Sequence, residues 1–111
     1  MTGVAEVRDL YGRYKHLALA AGAALVLDAP RGELAADAAA LVADARSAVA
    51  AGGELAPQLR ACVEAASELE RLLVRDGDVE AAREAHKRLR REVWKVIPCE
   101  YVPCCAGRGH E

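Results

Sequence analysis

The sequence predicts an all-α protein: an up-down-up-down four-helix bundle followed by an irregular, cysteine-rich C-terminal tail. Three observations carry that expectation. The apolar content is mostly alanine, leucine and valine, with no phenylalanine and one isoleucine, and alanine and leucine are strong helix formers. Four stretches place apolar side chains at alternating three- and four-residue steps, with breaks rich in Asp, Pro and Gly between them. The last fifteen residues, 97–111, hold two prolines and two glycines, which keep them out of a helix. The chain therefore divides into a bundle over 1–97 and a Cys/His-rich tail over 98–111.

Helix one is expected over 4–27, with Thr2 as its N-cap. Val4, Val7, Tyr11, Tyr14, Ala18, Ala21 and Leu25 form its stripe. Its second half is apolar on every side, whereas a bundle helix normally keeps one wet face. The expectation is either a central helix or one whose outer side contacts a second copy in a homodimer. Asp28, Pro30 and Gly32 break the chain. Helix two follows over 33–51, with Leu34, Ala38, Leu41, Ala45 and Ala48 or Val49 inward. Gly52 and Gly53 end it, because glycine takes the left-handed C-cap conformation without penalty.

Helix three is expected over 54–75, with Pro57 in its first turn, where the missing N–H costs nothing. Leu55, Leu59, Cys62, Ala66, Leu69 and Leu73 step by four and three, a heptad stripe. Asp78 caps helix four, expected over 79–97 and stopped by Pro98, with Val79, Ala82, His86, Leu89, Val93 and Val96 inward.

Formal net charge is −2, so bulk attraction to nucleic acid or an anionic membrane is not expected. Residues 83–95 are an exception, with six basic side chains (Arg83, Lys87, Arg88, Arg90, Arg91, Lys95) against Glu84 and Glu92, a local +4. A phosphate-contacting helix is one reading. A solvated face paired with acidic neighbours is the favoured one. The apolar run over 17–27 follows Arg13 and Lys15 as a signal-peptide core would, but Glu6 and Asp9 precede it and Asp28 closes it. It is far short of the roughly 20 residues that span a bilayer. A cytoplasmic protein is expected, with thiols mostly reduced.

The tail carries the chemistry. Its pattern is Cys99-x4-Cys104-Cys105-x4-His110, three thiols and one imidazole within twelve residues. Zinc takes thiolate and imidazole in tetrahedral sets, and copper(I) favours thiolate. The spacing is not that of a zinc finger. Cys62 is a further candidate ligand. In an up-down bundle it sits about 12 Å along helix three from the end where helix four finishes, and seven extended residues reach at most about 23 Å. The alternative for Cys62 is core packing as a small hydrophobe. The expected metal set is thus Cys99, Cys104 and Cys105, completed by His110 or Cys62, for zinc or copper(I). A disulfide between tail and helix three, or a thiol redox sensor, are the other outcomes weighed. So is an adaptor acting on a protein partner through helix surfaces, with the cysteines only fixing the tail.

His86 reads as a core histidine hydrogen-bonded to Tyr11, Tyr14 or a backbone carbonyl, and His16 falls on the polar side of helix one. No catalytic residue is assigned. There is no Glu-x-x-His pair for a di-iron bundle, no glycine-rich phosphate loop and no Gly-x-Ser-x-Gly turn. Thiols beyond a helix C-terminus face the negative end of its dipole, which disfavours thiolate. Residues 90–105 (Arg-Arg-Glu-Val-Trp-Lys-Val-Ile-Pro-Cys-Glu-Tyr-Val-Pro-Cys-Cys) resemble the C-terminal signature of small uncharacterised helical proteins from high-GC actinobacteria. That resemblance fits the alanine- and arginine-rich composition and implies no activity.

Overall fold

A computed structural model describes residues 4–51, 53–75 and 78–96. It contains four helices packed against one another and, among the described residues, no strand: α1 (Val4–Leu27), α2 (Gly32–Ala51), α3 (Ala56–Arg75) and α4 (Val79–Val93). The all-α class follows from the sequence as expected. Thr2, Gly52, the turn at 76–77 and the whole of 97–111 lie outside the described residues.

The helix boundaries follow local chemistry. Asp28 takes a left-handed φ of 54° just past α1, and Ala29 N–H donates back to Ala24 O at 2.9 Å. That six-to-one bond is the Schellman arrangement, and aspartate is among the few non-glycine residues that tolerate this φ. Gly53, at φ 113°, supplies the glycine-only conformation after α2. The start of α4 is capped as expected: Asp78 Oδ1 accepts from Glu80 N–H at 2.9 Å. α4 ends at Val93, earlier than the expected 97. Lys95 and Val96 donate instead to the carbonyls three residues back, Glu92 and Val93, so the chain tightens into a turn.

α3 is the central helix and touches each of the other three. Its packing against α2 is the most extensive, that against α4 next, and α1 meets α4 only sparingly. Gln58–Glu92 and Glu64–Arg88 contacts run in opposite sequence order, so α3 and α4 are antiparallel. One groove between α1 and α2 joins Glu6 and Asp9 to Ser47 and Ala51, and a second joins His16 and Leu17 to Asp37 and Ala40, which makes that pair antiparallel too.

The core is built from Leu, Val, Ala and two tyrosines, with Tyr14, Leu41, Leu59, Leu89 and Val93 fully enclosed. Its many alanines (Ala38, Ala45, Ala65 and Ala66 show no exposed surface) let α2 and α3 approach closely. The expected stripes hold with additions. Leu10, Leu17 and Ala24 join that of α1, and Val42, Leu72 and Ala85 those of the others. Val4 and Val79, expected inward at the helix starts, are exposed instead.

Candidate functional site

Four of the five expected metal ligands, Cys99, Cys104, Cys105 and His110, lie outside the described residues. The fifth, Cys62, is a free thiol in the middle of α3, 3 % exposed and part of the core. Burial pushes its pKa up to about 12, only partly offset by the Arg13 guanidinium. At neutral pH this is a protonated thiol. Among the described residues, no group of three His, Cys, Asp or Glu side chains could hold a metal ion.

The geometry does place the end of α4 beside the beginning of α3. Gln58 Nε2 donates to Glu92 O at 3.3 Å, across the last turn of α4. Gln58 is 6 % exposed, and its Oε1 is buried with no partner. Cys62 stands one turn further along the same face of α3. The chain therefore leaves α4 one helical turn from Cys62, which is the end-to-end relation the sequence called for.

His86 is half-buried, its ring edge-on to Tyr14 with centroids 5.1 Å apart and planes at 71°. Tyr14 is the tyrosine beside it, and the contact is aromatic edge to face in place of the expected hydrogen bond. Burial lowers the His86 pKa, and the nearby charges of Arg90 and Lys15 lower it further. Tyr14 is raised well above the ordinary phenol value by burial, then by Cys62 and Tyr11. Tyr11 is raised by burial against the pull of Arg90. Lys15 Nζ lies 5.7 Å from the Tyr11 ring centroid. The three rings and the Cys62 thiol form a packed corner between α1, α3 and α4, edged by the cations Lys15 and Arg90. His16 is exposed on the other flank of α1, in the groove shared with α2, so the two imidazoles serve different surroundings.

The basic segment of α4 is largely self-compensated. Arg83 pairs with Glu80 at 3.0 Å, Lys87 with Glu84 at 3.6 Å, Lys95 with Glu92 at 3.1 Å and Arg88 with Glu64 of α3 at 3.4 Å. Arg90 stacks on Trp94 at 5.5 Å, and Arg91 borders a groove with Glu64, Glu68 and Glu84. These exposed pairs each contribute at most about 1 kcal/mol. Their effect is on the field, since a compensated face is a poor phosphate surface.

The most unusual surface is on α1. Leu19, Val26 and Leu27 are 74 %, 84 % and 74 % exposed. Leu19, Ala23 and Val26 follow steps of four and three, so they share one outward face, with Gly22 beside them. No charged residue interrupts α1 between His16 and Asp28. The outer side of this half-helix is exposed in the single chain, so it is not the central helix of the fold. Sequence reasoning missed Gln58, although it stands three residues after Leu55 and four before Cys62, a spacing that places it on the inward side of α3.

Comparison with models of known protein families, with curated proteins and with solved structures found no match for this chain.

Proposed function

We propose that this protein is a non-catalytic helical module that works by contact, through the outer face of α1. The observation that carries this reading is the exposure of Leu19, Val26 and Leu27 on one charge-free half-helix. Soluble domains rarely leave several large aliphatic side chains exposed together, and where they do the face is often one of interaction. The self-compensated α4 directs the contact to protein rather than nucleic acid. No described helix is long and apolar enough to cross a membrane, and a cytoplasmic location belongs to the same proposal. So does the up-down-up-down order, supported by the antiparallel α1–α2 and α3–α4 pairs. The test is sedimentation velocity from about 1 to 500 μM on the wild-type chain and on Leu19→Glu/Val26→Glu. The wild type is expected to assemble, and the equally helical variant is expected to remain a single chain. A wild type that stays monomeric throughout rejects the reading.

A second role rests on the tail. Three thiols and an imidazole within twelve residues are a donor set for zinc or copper(I). The pKa of Cys62, raised to about 12, disfavours it as a ligand, so we assign the set to Cys99, Cys104, Cys105 and His110. The test is metal content after purification under reducing conditions without chelator. One equivalent is expected in the wild type and in Cys62→Ala, and none in Cys99→Ser/Cys104→Ser/Cys105→Ser. A metal-free wild type rejects this role.

A further inference from the structure

We infer that the seam between α1 and α4 binds a small phosphate-bearing ligand, held between Lys15 of α1 and Arg90 of α4 with the half-buried His86 beside them. This goes beyond the contact-face reading and does not depend on it.

Two helices supply the groups. On α1, Tyr11 and Lys15 stand one turn apart, and on α4, His86 and Arg90 do the same. The pairs meet across the seam. The His86 ring lies edge-on to Tyr14 with centroids 5.1 Å apart, and Lys15 Nζ lies 5.7 Å from the Tyr11 ring centroid. Each cation also acts on the opposite helix, Lys15 on His86 and Arg90 on Tyr11. Two exposed cations therefore converge on one buried phenol and one half-buried imidazole.

What singles this cluster out is a missing countercharge. Arg83, Lys87, Arg88 and Lys95 of α4 each pair with a carboxylate, as does Arg13 of α1. Lys15 and Arg90 do not. Among the described residues their partners are aromatic rings, Tyr11 and Trp94. No Asp or Glu stands three or four residues from either one along its own helix. The groups around His86 are Tyr11, Tyr14 and Lys15 from α1, Cys62 from α3 by way of Tyr14, and Arg90 on its own helix. None of them is negative at neutral pH, because burial raises both phenols and the thiol. In a chain with more carboxylates than cations, this is the exception. A guanidinium fork and an ammonium are the donors that suit phosphate oxygens, and a protonated imidazole adds a third.

Bound anion and His86 are linked. Burial and the two cations hold the His86 pKa down. A dianion in the seam offsets the cations and raises it, so binding tightens as pH falls.

The test follows the His86 imidazole resonances of the full chain by NMR at constant ionic strength, with chloride replaced by phosphate or sulfate. Sulfate keeps its double charge from about pH 5 to 8, so the pH dependence it reports belongs to the protein. Phosphate should give a saturable His86 response with a dissociation constant on the order of 1 mM. Sulfate should raise the His86 titration midpoint by about half a pH unit. Lys15→Met/Arg90→Met changes two exposed side chains, so it should keep the helical spectrum while weakening binding at least about tenfold. Lys87→Met/Arg91→Met removes the same charge elsewhere on α4 and should leave binding unchanged. Glycerol phosphate bound at least as tightly as inorganic phosphate assigns the site to phosphate esters, and weaker binding assigns it to the free ion. No saturable response to phosphate, or equal weakening by the two double variants, overturns the site. A midpoint that sulfate leaves unmoved overturns the place of His86 in it.

Discussion

Replacing Gln58 by methionine should stabilise the protein, although it deletes a hydrogen bond. The amide is 6 % exposed. Its Nε2 makes one long bond, 3.3 Å, to Glu92 O, and its Oε1 has no partner. A bond of that length sits at the weak end of the usual net contribution of about 0.5–1.5 kcal/mol. The carbonyl at the other end loses hydration worth about 1–3 kcal/mol on folding and regains none of it. Glu92 O is not orphaned by the change, because Lys95 N–H still donates to it at 3.2 Å. Methionine is unbranched, helix-compatible and able to fill an irregular space. The balance favours the variant by about 1 kcal/mol. In urea that is a midpoint increase of roughly 0.5–1 M at unchanged slope, and in heating a Tm rise of about 4 °C. Both are read at a protein concentration low enough to keep the chain monomeric. A loss of 1 kcal/mol or more would refute the reasoning and would mean that Oε1 has a strong partner, such as an enclosed water.

Other predictions concern the core and its titratable groups. Leu59→Ala removes a fully enclosed side chain of the central helix and should cost about 2–5 kcal/mol, measured by urea unfolding. The His86 pKa is lowered in the folded chain, so between the folded and unfolded values the unfolded state holds more protons and stability rises with pH. Stability should therefore fall as pH drops below about 6.5 and level off below the folded value. His86→Leu should flatten that slope in unfolding midpoints taken from pH 8 to 5. In the triple tail variant, Cys62 should resist alkylation at pH 8 in native buffer and react at once in denaturant, because its buried thiol titrates only near 12. Fast native labelling would place it in a more open setting.

Periodicity alone located every helix, because the breaks at Asp28–Gly32, Gly53 and Asp78 carry unambiguous turn chemistry. Where it slipped, at the end of α4, the cause was a tightening into three-residue bonds at Lys95 and Val96 that apolar spacing does not encode. The inward faces were legible through Leu59, Cys62, Leu69 and Leu89, whereas Val4 and Val79 show that a correct phase does not guarantee a neighbour to cover it. His86 against Tyr14 could be anticipated, since both lie on inward stripes of helices one and four. The buried Gln58 could have been suspected from its spacing to Leu55 and Cys62, but an amide on an inward face does not say whether both its polar atoms find partners. The apolar second half of α1 was visible as an anomaly, but only coordinates could tell a central helix from an uncovered one. The tail's sulfur pattern is a statement of composition, and its arrangement lies outside the described residues.

The unequal grip of the helices on one another has a dynamic consequence. α2 and α4 each pack closely on α3, while α1 rests mainly on α2 and α3 and scarcely reaches α4. Such a helix is the natural first unit to open, ahead of global unfolding. Amide exchange along Val4–Leu27 should therefore be the fastest of the four helices in dilute protein. If another chain clamps that helix from outside, its exchange should slow as concentration rises, while the rate in α3 hardly changes. Pairing would then act as a latch on the one part of the fold that its own neighbours hold least.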